Sequence, residues 1–83
     1  MARIPSAAAA HIGTRISDLR KKRTMSVDQL AVASRIDSSN IRSYESGRAM
    51  TSLHSLVRIA EALGVDAGEL LEGVSSEMFG QER

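Results

Sequence analysis

The chain has 83 residues, enough for one small domain. Hydrophobic residues make up 42% and aromatics only 2%, so the composition excludes a disordered chain and requires a core of Leu, Ile, Val and Ala. Cysteine is absent, which removes disulfides and thiolate metal sites and fits a cytoplasmic setting.

The net charge of +1 is uninformative until its distribution is read. Residues 1–48 carry nine Lys or Arg against four acids, a balance of +5, whereas residues 49–83 carry two against six, a balance of −4. A basic half of this kind suits a phosphate-facing surface; the alternative is that basic helix ends merely complement helix dipoles. No run of about eighteen apolar residues is present, so no membrane span is expected. The opening MARIPSAAAA is too short and too weakly apolar for a secretory signal.

Residues 1–11 form an arm or a helix extension. Pro5 and Ser6 suit a helix start, and Ala7 to Ala10 would prolong one cheaply. A minor-groove arm carrying Arg3 and a frayed tail are the two readings. The first helix is expected from Ala8 or Ile12 to Lys22, with Ile12, Ile16 and Leu19 as its buried stripe. Gly13 costs about 1 kcal/mol inside a helix, so the regular helix is expected to begin near it. Arg20, Lys21, Lys22 and Arg23 cluster at the far end.

Ser26 to Gly47 reads as two short helices joined by a tight turn. Ser26 and Gln29 have capping-box spacing, and Val27, Leu30 and Ala31 give the first helix a buried side. Asp37 is the N-cap candidate of the second, Ile41 and Tyr44 point inward, and Gly47 is a left-handed stop. The outward face is then Ser38, Ser39, Asn40, Arg42 and Ser43, small and polar, which suits close approach to base edges. A merely solvated helix would carry Glu and Lys instead.

Leu53, Leu56, Val57, Ala60 and Leu63 form the stripe of a fourth helix, stopped at Gly64, with Thr51 as its cap candidate. Asp66 and Glu69 have capping-box spacing for a fifth helix bearing Leu70, Leu71 and Val74. Residues 75–83 are an acidic tail whose large apolar groups are Met78 and Phe79.

IGTRISDLR (Ile12 to Arg20), the capped SVDQLA, IRSYESGR (Ile41 to Arg48) and LVRIAEALGV (Leu56 to Val65) follow one another in register. In these four pieces, over roughly Ile12 to Leu71, the sequence resembles the Cro/repressor-type (XRE) helix-turn-helix family. The resemblance implies an all-α, compact five-helix bundle of the lambda-repressor-like DNA-binding type. Helices 2 and 3 would form the helix-turn-helix, within a domain spanning residues 12–74. It also implies an ion pair between Arg20 and Glu45 tying the first helix to the recognition helix. Base reading would fall to Ser38, Ser39 and Ser43, with Asn40 and Arg42 nearby, and Arg48 would grip phosphate from the following loop. Arg42 has two roles open: bidentate bonding to guanine, worth about 1–3 kcal/mol of discrimination, or a phosphate contact.

The sequence departs from the family pattern at several positions. Val27 stands where the family has a DNA-contacting Gln, Met50 where a basic residue is common, and Thr51 where proline is customary. Arg35 occupies the turn position usually held by Gly; a side chain at positive φ costs of order 1 kcal/mol, and Arg35 either reaches phosphate or is a solvated turn residue.

In relatives the fifth helix makes a two-fold contact, which places Leu70, Leu71 and Val74 at a dimer interface; the alternative is that they close the protomer core. A symmetric pair would present two recognition helices about 34–36 Å apart. No catalytic constellation, phosphate loop or metal-spaced cluster is visible, and His54 has no ligand partners, so neither an enzyme nor a cofactor is expected. The expected partners are double-stranded DNA and a second copy of the chain. The other open reading is an antitoxin or adaptor of the same fold, whose main partner is a toxin or other protein.

Overall fold

The computed structural model describes residues 6–80. Five α-helices follow in order, α1 Ala7–Lys22, α2 Val27–Ser34, α3 Ser38–Ser46, α4 Leu53–Leu63 and α5 Ala67–Leu70, then a 3-10 helix, Ser76–Phe79. Among the described residues there is no strand.

Ser6 caps α1, its Oγ accepting from the Ala9 amide at 3.1 Å. The helix therefore begins ahead of Ile12, and Ala8 and Ala9 are buried. Residues 7–11 are a packed first turn, and the proposed arm residue Arg3 lies outside the described residues. Ser26 and Gln29 form the reciprocal capping box on α2, with bonds of 3.0 and 2.8 Å. Three expected caps differ. Ser52, not Thr51, caps α4 through the Ser55 amide at 3.1 Å, while Thr51 is buried. Asp66 stands at the N-cap of α5 without a side-chain cap bond, because its main-chain carbonyl takes the Glu69 amide at 2.9 Å. Asp37 at the start of α3 behaves likewise, its carbonyl accepting from Asn40 at 3.0 Å.

All four longer helices end in the same two-bond Schellman closure, with one left-handed residue. Those residues are Thr24 (φ 52°), Arg35 (φ 60°), Gly47 (φ 81°) and Gly64 (φ 73°). In the first, the Thr24 amide donates to Lys21 at 2.9 Å and Met25 to Arg20 at 3.1 Å; in the second, Arg35 donates to Val32 at 3.3 Å and Ile36 to Ala31 at 3.1 Å. Two of the four stops thus use a residue with a Cβ, and Thr24, being β-branched, is the less comfortable.

The core is aliphatic, as the composition required. Ile16, Leu30, Ile41, Ile59, Leu63 and Leu70 are its largest fully buried side chains. The α4 stripe is rotated from the sequence expectation. Leu56, Ile59, Ala60 and Leu63 face inward, whereas Leu53 is 74% exposed and Val57 is also exposed. Leu70 likewise corrects its expected place at a dimer interface. It lies fully inside its own protomer, because one turn of α5 is just long enough to turn it under α4.

Gly13 sits within α1, where that helix crosses α3. A Cβ there would collide with the Tyr44 carbonyl oxygen and stand 2.8 Å from that of Glu45. Gly47 meets α1 in the same way, with Ala10 Cα 2.9 Å from its virtual Cβ. These two contacts set the separation of α1 and α3. In an unobstructed helix Gly→Ala stabilises by about 1 kcal/mol; Gly13→Ala is expected to destabilise by about 1–3 kcal/mol instead, read as a lower urea midpoint at unchanged m-value. Arg35→Gly should raise stability by about 1 kcal/mol in the same assay, by relieving a left-handed side-chain conformation.

Candidate nucleic-acid interface

The predicted interface residues fall on one short segment. Ser39, Asn40 and Arg42 are exposed on α3, and Ser38 and Ser43 are half-buried beside them. Arg35 is exposed in the turn before α3 and Arg48 just beyond its end, its Nε donating to Ser46 Oγ at 3.2 Å. The Ser43 carbonyl accepts from the Arg48 and Ala49 amides and from Ser46 Oγ, which fixes the exit of the chain from α3. Tyr44 points the other way and packs against the core.

What holds this segment in place is a fork between α1 and α3. Arg20 Nε donates to Glu45 Oε2 at 2.7 Å and Nη2 to Oε1 at 3.0 Å, while Nη1 donates to the Met25 carbonyl at 2.7 Å. Both side chains are only 12% exposed. Bidentate geometry fixes direction as well as distance. The hydrogen bond to Glu45 raises the Arg20 pKa above its already high ordinary value, against the opposing effect of burial, so the guanidinium stays charged at any physiological pH.

Two features escaped the sequence reading. Asp28, in the first turn of α2, places Oδ1 3.9 Å from Arg42 Nη2, so the interface carries an anion beside its central cation. The only hint was an acid two positions after an N-cap. At the other end of α1, Arg15 donates to the Glu69 carbonyl from Nε at 2.9 Å and from Nη2 at 2.7 Å, and His11 Nε2 donates to the Glu72 carbonyl at 2.6 Å. These bonds strap the C-terminal segment to α1, and no local pattern announces them. Among the described residues no group of three or more His, Asp or Glu is placed to hold a metal ion.

The model of the helix-turn-helix family HTH_3 matches residues 16–70. The chain belongs to that family. Its solved structural neighbours include the restriction-modification controller protein C.AhdI from Aeromonas hydrophila, 31% identical with a TM-score of 0.73, covering 75% of this chain and 94% of that one. The biofilm master regulator SinR in complex with DNA is 29% identical at a TM-score of 0.70, covering 74% and 98%. The clp gene regulator ClgR from Corynebacterium glutamicum is 25% identical at 0.74, covering 77% and 68%. No curated protein sequence matches. The five-helix, XRE-type architecture implied by the sequence is thus shown, and this HTH_3 protein is a DNA-binding transcriptional regulator.

Losing one partner of a buried ion pair costs about 3–5 kcal/mol, and of an exposed one about 0–1. For the HTH_3 domain's nearly enclosed fork, Glu45→Ala is expected to cost about 2–3 kcal/mol in chemical denaturation. The paired change Arg20→Met with Glu45→Leu should recover most of that loss, because no charge is then left unpartnered.

Proposed function

We propose that this regulator acts as a homodimer that reads a palindromic duplex site and represses transcription by occupying it, from the cytoplasm and without enzymatic activity of its own. The observation that carries the reading is the exposed, small and polar face of α3, held at a fixed angle by the Arg20–Glu45 fork. Ser39, Asn40 and Arg42, with Ser38 and Ser43 at the margin, would meet base edges; Arg35 and Arg48 flank them as phosphate contacts.

The proposal of a dimer rests on an apolar face that the protomer does not need. Ile12, Met50, Thr51, Leu53, Leu56, Leu71 and Phe79 line a groove with almost wholly apolar walls, and Leu53 and Phe79 remain 74% and 52% exposed. Exposed apolar groups in one contiguous patch mark an interaction surface. A second copy is the occupant that also supplies a second recognition helix, since one helix reads only a few base pairs. Of the residues first expected there, Leu71 belongs to this face, half-buried Val74 packs against the core, and Leu70 is enclosed. The same face favours a second reading, in which a different protein docks there; one solved neighbour is a complex of SinR with SinI.

A mobility-shift titration on duplexes selected from a random library tests the first reading. Arg48→Ala should weaken selected and scrambled duplexes alike and lower the log–log salt slope by about 0.9 per subunit, whereas Arg42→Ala should chiefly erode the preference for the selected site. Leu53→Glu should weaken self-association by at least about tenfold in light scattering and flatten the selected half-site symmetry. A wild-type chain that is monomeric and shifts no duplex at low salt would favour a protein partner instead.

A further inference from the structure

Arg42 is the one cation of α3, and its guanidinium makes no hydrogen bond among the described residues; its near neighbour is a carboxylate. Asp28 Oδ1 lies 3.9 Å from Arg42 Nη2, within ion-pair reach though beyond hydrogen-bond length, with the two side chains 77% and 57% exposed. The main chain at Asp28 is held independently of Arg42, in the first turn of α2 behind the Ser26–Gln29 capping box. An exposed pair of this kind contributes little to folding. Its position on the surface that faces DNA gives it another consequence.

We propose that Asp28 is a specificity-determining residue, which biases Arg42 toward guanine and away from phosphate. The inference rests on the reading above that α3 faces base pairs. An arginine on a reading surface has two uses: a phosphate contact, which carries no sequence information, and a bidentate bond to guanine O6 and N7, which does. The guanidinium has five N–H donors in a rigid fork. Two of them satisfy guanine, and another edge remains free to face Asp28, so the carboxylate and the base share one cation. On phosphate the arrangement is unfavourable, because the Asp28 carboxylate is brought close to a like charge whose attraction for Arg42 it also offsets. An anion beside the reading arginine therefore weakens non-specific binding more than specific binding. Such a device suits a chain whose net charge is only +1, where three exposed arginines at the interface, Arg35, Arg42 and Arg48, would otherwise hold any duplex.

The test compares the full-length chain with Asp28→Asn, and with Asp28→Ser as a second replacement should the amide disturb α2. Each is titrated against a duplex selected from a random library and against its scrambled counterpart. Thermal unfolding confirms that both variants are folded at the assay temperature. Asp28→Asn should tighten binding to the scrambled duplex by about threefold or more with a smaller gain on the selected duplex, so the specificity ratio falls. A repeat selection with the variant should return a site whose guanine preference is relaxed at one position per half-site. In an Arg42→Ala background the same replacement should leave the ratio unchanged. A ratio that does not move, or that moves equally with and without Arg42, overturns the role of Asp28 while leaving base reading by α3 intact. A wild-type chain that enriches no sequence overturns both.

Discussion

Everything that this surface presents to a partner depends on how α3 is fastened to α1. The fastening has two components of different character. The first is the fork from Arg20 to Glu45, with bonds of 2.7 and 3.0 Å and a third arm of the same guanidinium on the Met25 carbonyl. It is directional, nearly enclosed and charged on the arginine side at any physiological pH. The second is the steric approach at Gly13 and Gly47, where main chain meets main chain without an intervening Cβ. The fork fixes rotation and the glycines fix distance. With both in place α3 has little freedom, and four polar side chains too short to reach far, with Arg42 among them, can still be delivered to a defined surface. Preorganisation of this kind removes ordering losses that would otherwise weaken association.

The helix stops show the opposite balance. Thr24 and Arg35 adopt left-handed conformations that glycine holds without strain, and they do so in the two turns that frame the first half of the motif. The Schellman bonds and the burial of Ile36 just after Arg35 compensate that strain. At Arg35 the side chain that strains the turn also places an exposed cation just before α3. For Thr24 the structure offers no comparable return.

The far side of the protein is organised by the C-terminal segment. Arg15 and His11 hold it against α1 through the carbonyls of Glu69 and Glu72, and the strap carries Leu71 and Phe79 to the groove floored by Ile12 and Leu56. The basic half of the sequence accordingly supplies the exposed polar face of α3, while the acidic half supplies most of the apolar groove and, in Leu70, the end of the core. The exposed face of α3 and the apolar groove share no residues, so each can be altered without direct damage to the other.

The sequence by itself determined what short-range chemistry can determine. Periodic aliphatic residues, Ser26 with Gln29, and glycines at 47 and 64 were sufficient to place α1 through α4, and the motif register carried Arg20, Glu45 and the α3 face. Decided only by the tertiary structure were properties that depend on which surfaces meet. Gly13 reads as a helix breaker until α3 is laid across it. Leu53 and Leu70 exchange their expected places, because helical spacing names a stripe without saying how far it is rotated toward the core or how soon a short helix turns under its neighbour. Asp28 looks like an ordinary first-turn acid until folding brings Arg42 to it, fourteen positions along the chain. Local patterns encode hydrogen bonds closed within a turn or two; contacts across the chain are settled by packing, and packing is a property of all the helices together.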